Sequence, residues 1–205
     1  MALSAQDKIL YVANKLGLST LGNMQGSTGA VYDVDTDLSG QIFSSASRHQ
    51  NPSVTNVTEN EFEVNEALLV ENIAFYVKNT AGNVRNFQRV YGSEAVIVFD
   101  LIIGNKRVMK DTPVFAAGSP YTFATAAKQL FSSDGEPINL GLNFLPRHQV
   151  FMEGAGVLIP PQVQWYVDYR IFNVVTGATI PVTDNTAIGC YLFGTRVLLN
   201  FNTSI

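Results

Sequence analysis

Charged side chains are scarce in this sequence. Asp, Glu, Lys and Arg make up 15% of the 205 residues, whereas a typical soluble domain carries about 25%. Hydrophobic residues, at 46%, are as common as in other globular proteins. A soluble chain with so little charge has to cover apolar and uncharged surface, and subunit interfaces are where proteins usually do so. The composition therefore predicts an obligate assembly.

Long hydrophobic runs, cysteine pairs and basic arms are also missing. No apolar run approaches the roughly 18 residues that span a bilayer, and the longest candidates, AVIVF and LII, are split by Asp100. Cys190 is the only cysteine, which excludes an internal disulfide and a cysteine-based zinc knuckle. The net charge of −4, with no Lys/Arg-rich arm, argues against direct nucleic-acid binding.

The motifs of catalysis are absent as well. There is no GxSxG nucleophile elbow, and the glycine-rich pieces GNMQGSTG and GAG lack the Lys-Ser/Thr pair of a phosphate-binding loop. His49 and His148 are too far apart in sequence to give zinc-ligand spacing. The sequence predicts a protein that is not an enzyme and that takes no cofactor and no small-molecule substrate.

Several glutamates cluster at the start of the predicted strand region. Such carboxylates could pair for glycoside hydrolysis, but nothing distinguishes an acid from a nucleophile. A solvated face is the simpler interpretation. The glutamates in question are Glu59, Glu61, Glu63, Glu66 and Glu71.

The stretch YDVDTDLSG, which begins at Tyr32, is the best metal candidate. Asp33, Asp35 and Asp37 alternate as they do in calcium loops. However, Leu38 occupies the sixth position where the EF-hand needs glycine, and Ser44 occupies the twelfth where it needs a bidentate glutamate. We therefore interpret the aspartates as turn residues, either solvated or paired with cations of a neighbouring chain, with calcium binding as the lesser alternative.

Residues 1–58 read as a helix followed by an extended arm. Ser4 and Asp7 form a variant of the capping box, Ile9, Val12 and Leu16 share one face, and Gly17 ends the helix. The polar segment that follows is long and weakly patterned. We expect the helix and the arm to connect neighbouring subunits, with Ile9, Val12 and Leu16 as interface candidates.

Residues 59–205 read as a β-sandwich domain. Short strands alternate with Gly and Pro, GNKR marks a hairpin turn, and only TFATAAKQLFSSDG has a second helical pattern. The clearest strand is QVQWYVDYRIFNV, in which Trp165 and Tyr169 face the core while Tyr166 and Phe172 face outward. Tyr166 and Phe172 are the remaining interface candidates. Many short strands and few helices predict an all-β sandwich of jelly-roll type.

The segment NVRNFQRVYG alternates arginine with aromatic residues. On a strand, Arg85, Phe87 and Arg89 would share a face that could stack bases and touch phosphates. Two arginines are a small electrostatic footprint on an acidic protein. Pairing with carboxylates, across strands or between subunits, is the preferred interpretation.

The chain resembles the jelly-roll capsid proteins of icosahedral viruses and bacteriophages. The resemblance rests on EGAGVLIPPQVQWYVDYRIFNV, in which a glycine-rich turn and a double proline lead into a cleanly alternating strand, and on the helix and arm before the first strand. It implies a virion structural protein that assembles with copies of itself and with other virion proteins. Because the first 58 residues are not basic, its inner surface would face another protein, an internal membrane, or a genome neutralised by another component. The alternative is a sandwich that binds a receptor or glycan as part of a spike or adhesin.

Overall fold

The protein is an all-β sandwich, as the sequence predicts. In this computed structural model the described residues are 4–18, 23–44, 54–57, 59–79, 84–85, 87–92, 94–113, 130–131, 137–138, 156–182 and 186–199. Two five-stranded antiparallel sheets face each other across one hydrophobic core, and a short helix lies on the outside of the first sheet.

The elements are numbered in chain order. The helices are α1 (Ala5–Lys15) and α2 (Phe87–Tyr91). The strands are β1 (Gln25–Val34), β2 (Gln41–Ile42), β3 (Glu66–Asn79), β4 (Val84–Arg85), β5 (Ala95–Ile103), β6 (Lys106–Pro113), β7 (Leu130–Phe131), β8 (Pro137–Ile138), β9 (Val157–Ile159), β10 (Trp165–Asn173), β11 (Thr179–Ile180) and β12 (Thr186–Leu198).

Strands distant in sequence are neighbours in both sheets. Sheet 1 has the order β1-β12-β3-β4, and β9 also pairs with β3. Sheet 2 has the order β11-β10-β5-β6, and β2 also pairs with β10. Strands β7 and β8 form a separate two-stranded sheet. Because the first and last long strands pair with each other, the sheets close only when most of the chain is in place.

The alternation predicted for β10 is confirmed. Trp165, Val167, Tyr169 and Ile171 are all buried in the core between the sheets. Burying an apolar side chain of this size stabilises the fold by about 1.5–3 kcal/mol. The predicted hairpin also forms, since β5 and β6 are joined at Gly104, which has the left-handed φ of 61°.

A bulge explains why β3 is continuously apolar rather than alternating. Its register with β12 shifts beside Gly194, which leaves Glu71 without a partner across the ladder. Before the bulge Leu68 and Val70 face the core, and after it Ile73 faces the core, so the phase of the alternation changes. The other face is apolar at its first end because α1 covers it.

Helix α1 is built as the sequence predicts. The backbone N–H of Asp7 donates to Ser4 Oγ at 3.2 Å and the Asp7 carboxylate accepts from Ser4, which completes the capping box. Hydrogen bonds from Ser4 lower the pKa of Asp7. Gly17 adopts the left-handed φ of 70° beyond the last turn.

Part of the predicted arm belongs to the sandwich instead. Strand β1 pairs with β12 over ten residues, from Gln25↔Leu198 to Val34↔Gly189, and β2 pairs with β10. The sequence QGSTGAVYDV gave no strand signal because its first half is Gly, Ser and Thr. Its pairing is fixed by a partner strand about 160 residues further along the chain, which local pattern cannot detect.

The segment NVRNFQRVYG does not form the strand that its pattern suggests. Phe87 and Tyr91 lie in a helical turn with ring centroids 5.1 Å apart and pack against the core, so NVRNFQRVYG is not a single strand. His49 and His148 lie outside the described residues, as does most of TFATAAKQLFSSDG. The helix predicted for that segment is wrong at Leu130, which forms strand β7 with Phe131.

Candidate functional site

The second half of β1 ends in a buried carboxylate. Asp35, with no solvent exposure, accepts from the backbone N–H groups of Ser39 at 3.0 Å and Gly40 at 2.8 Å. It also accepts from the Ser39 hydroxyl at 3.2 Å and from the Tyr169 hydroxyl of β10 at 2.7 Å. Since β1 and β10 belong to different sheets, this carboxylate joins the two layers of the sandwich.

Asp33 and Asp37 have different surroundings. Asp33 is 1% exposed, and its Oδ2 accepts from the backbone N–H of Phe43 at 2.7 Å. Asp37 is exposed and accepts from the Ser39 hydroxyl at 3.0 Å. Burial raises the pKa of Asp35 and hydrogen bonding with Asp37 raises it further, while donation from Tyr169, Gly40 and Ser39 opposes the change.

The interpretation of these aspartates as solvated turn residues is therefore wrong for two of the three. Asp33 and Asp35 point into the protein and organise the turn that leads from β1 to β2. In the part of the chain that the structure describes, no three His, Cys, Asp or Glu side chains gather as a metal site. The chemistry of YDVDTDLSG is that of a structural turn.

Asn56 covers the edge of β1 beside this turn. Its Oδ1 accepts from the backbone N–H of Tyr32 at 2.7 Å, and its Nδ2 donates to the carbonyl of Ala30 at 2.8 Å. Its own N–H donates to the Tyr32 carbonyl at 3.1 Å. The carbonyl of Ala30 and both backbone groups of Tyr32 thus have partners within the protein.

The first half of β1 borders a cavity of about 390 Å³ at one end of the sandwich. We call this cavity the mouth groove. One wall is β1 from Ser27 to Val31, and the facing wall is made by residues 56–57 and 59–66. Glu59, Glu61 and Glu63 are exposed along that wall. Four carboxylates, counting Glu66, therefore face one guanidinium in the groove.

That guanidinium belongs to Arg196. It forms an ion pair with Glu66, whose side chain is 10% exposed. On the opposite side from Glu66, Arg196 lies against Gly29 of β1, where an added Cβ atom would come within 2.8 Å of the Cβ of Arg196. Glycine at position 29 thus leaves room for the base of the Arg196 side chain.

The groove offers polar groups that could bind a ligand. Glu66 is neutralised by Arg196, and the other three glutamates are solvated. Gln162 lies at the rim with a left-handed φ of 53°, and its N–H donates to the Phe62 carbonyl at 2.9 Å. Amides, carboxylates and one cation can recognise a polar or cationic ligand.

The sequence grouped these glutamates without locating the groove. The solvated face predicted for them is confirmed for Glu59, Glu61 and Glu63, which are exposed, but it is wrong for Glu66, which is buried and paired with Arg196. Glu71 is not part of the groove: it is the bulged residue of β3, paired with Lys8 at 2.7 Å and hydrogen-bonded by Thr195 at 2.8 Å. The alternation of glutamate at 59, 61 and 63 was the available signal, but Arg196 lies too far along the chain to be associated with it.

The helix residues expected at a subunit interface contact the chain's own sheet. Val12 is 0% exposed and packs with Leu69, Val197 and other residues on the outer face of sheet 1. Ile9 lies against Gly26, and Leu16 packs at the edge of the same cluster. The interface prediction for Val12 is wrong, because a side chain without exposed area cannot meet a neighbour. The sequence predicted the helix correctly. Its apolar face did not show whether the chain's own sheet or a neighbouring subunit would cover it.

The other two interface candidates lie on the outer face of sheet 2. Tyr166 and Phe172 are half-buried, and six residues of strand separate them by about 20 Å. Between them Asp100, 3% exposed, contacts Arg107 at 3.3 Å and Arg170 at 3.9 Å. The two rings therefore flank an ionic network and do not form one aromatic platform.

Comparisons with known proteins identify no relative of this chain. No protein-family model, no curated protein and no solved structure matches it. Over the described residues, no helix has the length and apolar character required to cross a membrane.

Proposed function

We propose that this protein is a structural subunit of a viral or phage capsid, which assembles through repeated contacts into an icosahedral shell. The observation that carries the proposal is the order of the strands. Strands β1 and β12, β2 and β10, β3 and β9, and β5 and β6 form antiparallel pairs. These four pairs are nested within one another along the chain.

Such nesting is what a jelly-roll topology requires. A chain doubled back on itself pairs its first strand with its last, its second with its next to last, and so on inward. Wrapping that ladder into a sandwich places alternate pairs in opposite sheets, as for β1·β12 and β3·β9 in sheet 1 and β2·β10 and β5·β6 in sheet 2. The order supports a jelly roll, an architecture used by capsid proteins, lectins and cupins.

Fold alone does not choose among these uses. The scarcity of charge favours the shell, because assembly covers uncharged surface. Large apolar side chains are exposed in the described residues at Val64, Val108, Val174 and Val175. Contacts through such exposed apolar side chains can each be modest, because symmetry repeats them around a closed particle.

Size-exclusion chromatography with light scattering on the purified protein tests the proposal. A shell subunit gives species far heavier than the 22.4 kDa chain, with a mass distribution that shifts with concentration. A monomer of 22.4 kDa at every concentration up to the millimolar range would contradict both the shell and the interpretation of the low charge content.

The second candidate is a receptor- or glycan-binding module of a spike or adhesin. The mouth groove favours it, because Asn56, Gln162 and the wall glutamates offer the amide and carboxylate groups that hydrogen-bond to sugar hydroxyls. A small fixed oligomer that binds members of a glycan array would support this candidate. Binding that survives Gln162→Ala and Glu61→Gln would place the sugar outside the groove.

A further inference from the structure

The first half of β1, residues 25–29, which we call the open half, lies at the edge of sheet 1. It lacks the features that usually keep an edge strand from pairing with another strand. The bonds of Asn56 show that the N–H and C=O of Tyr32 point away from β12. Because this direction alternates along an antiparallel strand, the backbone groups of Gly26 and Thr28 and the N–H of Ala30 also point to the edge. Within the described parts of the chain, no hydrogen bond is made to these groups from that side.

At the edge of sheet 2, strand β6 has the features that natural sheets use to prevent pairing with a further strand. Strand β6 shifts register twice against β5, and it carries Lys106, Arg107 and Lys110 and ends at Pro113. Bulges, lysines and proline all discourage a further strand from pairing. By contrast, residues 25–29 of β1 are QGSTG, paired in regular register and without charge or proline.

Open space lies beside part of this edge. The mouth groove of about 390 Å³ borders Thr28 and Ala30 directly. A strand of five residues along residues 25–29 would run about 17 Å. It would present its side chains alternately to the groove wall and to solvent.

The charge of the facing wall defines the occupant. Glu59, Glu61 and Glu63 are all exposed and all line the groove, so three carboxylates border the space beside the edge. Within the described residues, the cationic strand of this chain is β6, whose edge is bulged and whose Arg107 contacts Asp100. A second copy therefore offers no matching strand among these residues.

We propose that the open half of β1 binds an extended, lysine- or arginine-rich segment of a different protein by strand addition. Backbone hydrogen bonds to Gly26, Thr28 and Ala30 supply the pairing, and Glu59, Glu61 and Glu63 select cationic side chains. This goes beyond shell formation, because it assigns a partner and a site that assembly of identical copies does not require.

Fluorescence anisotropy with the labelled peptide KTKVKTK and the full-length protein tests the inference. We expect saturable binding that weakens as salt rises, and slower hydrogen exchange at the amides of Gly26, Thr28 and Ala30. The acidic twin ETEVETE and a KTKVKTK peptide with alternate backbone nitrogens methylated are the peptide controls. Equal binding of either control overturns the inference, as does no binding of KTKVKTK below 1 mM.

Thr28→Pro is the decisive variant. It removes one edge donor without touching the ladder to β12, so we expect at least tenfold weaker binding with circular dichroism and melting temperature preserved. Neutralising Glu59, Glu61 and Glu63 together to glutamine should weaken binding roughly five- to tenfold, and Glu94→Gln, outside the groove, should have no effect. Unchanged binding to Thr28→Pro overturns the inference.

Light scattering separates this inference from the proposed shell. If particles form but KTKVKTK does not bind, the partner site fails while the shell stands. If the chain stays monomeric and KTKVKTK binds, the shell fails while the site stands. Concentration-dependent protection of the same amides without peptide means that a second copy occupies the edge, which overturns the assignment to a different protein.

Discussion

The two halves of β1 belong to one strand but differ in what covers them. In the second half, Asn56 bonds the edge at residues 30–32, and Asp33 and Asp35 are buried among donors. In the first half, Ser27, Thr28 and Gly29 border the mouth groove. Both halves pair with β12 in one continuous register. One end of the strand thus leads to a buried carboxylate that links the two sheets, and the other end presents an edge that can accept a partner.

The largest effect should come from removing the buried carboxylate. Asp35→Ala leaves the donors of Ser39, Gly40 and Tyr169 without an acceptor in a buried site. We expect a loss of about 3–5 kcal/mol in the free energy of unfolding, measured by urea denaturation. The matched control is Asp37→Ala, an exposed neighbour, with a loss below about 1 kcal/mol. Equal losses for the two variants would contradict the distinction between the halves.

Removing the Asn56 side chain should expose the edge of the second half of β1, so that it resembles the edge of the first half. Asn56→Ala abolishes the side-chain bonds to Tyr32 N–H and the Ala30 carbonyl, at a cost of about 1–2 kcal/mol. Hydrogen exchange followed by NMR should show faster exchange of the Tyr32 amide while the Val31 amide, directed at β12, stays protected. Unchanged exchange at Tyr32 would mean that something other than Asn56 protects this edge.

The raised pKa of Asp35 predicts a pH effect of definite sign. A carboxyl group whose pKa is higher in the folded state stabilises the fold most below its unfolded pKa, near 4, and that stabilisation is lost as pH rises through the folded pKa. Asp35→Asn removes this contribution, so it should destabilise the protein more at pH 4 than at pH 7. Thermal unfolding of both proteins at the two pH values provides the test. A penalty that grows with pH would reverse the assigned direction.

The smallest effect is expected at the open edge itself. The N–H of Thr28 points to solvent, so Thr28→Pro should change the free energy of unfolding by less than about 1 kcal/mol. In the adjacent variant Ser27→Pro, the lost N–H is directed at β12 and the loss should reach about 3 kcal/mol. Similar losses in the two variants, seen in urea titrations, would show that the open half is not an edge.

Local pattern was sufficient for the elements whose sequence carries their own signal. The capping box of Ser4 and Asp7 predicted α1, and the alternation from Trp165 to Ile171 predicted β10 and its buried face. The hairpin at Gly104 followed from its turn residues. These features depend on contacts within a few residues, which a single sequence displays directly.

Elements that depend on distant partners were not predictable in the same way. Strand β1 has no apolar alternation in its first half and is held by β12. The buried Asp35 accepts from Tyr169, 134 residues away, and the mouth groove depends on the ion pair between Arg196 and Glu66. A carboxylate in a polar sequence gives the same local signal whether it is solvated or buried.

Electron microscopy of the assembled protein tests the central claim most directly. The account predicts closed particles of uniform diameter, built from repeated copies of the sandwich. Dispersed single chains, or amorphous aggregates without a repeating unit, would contradict it.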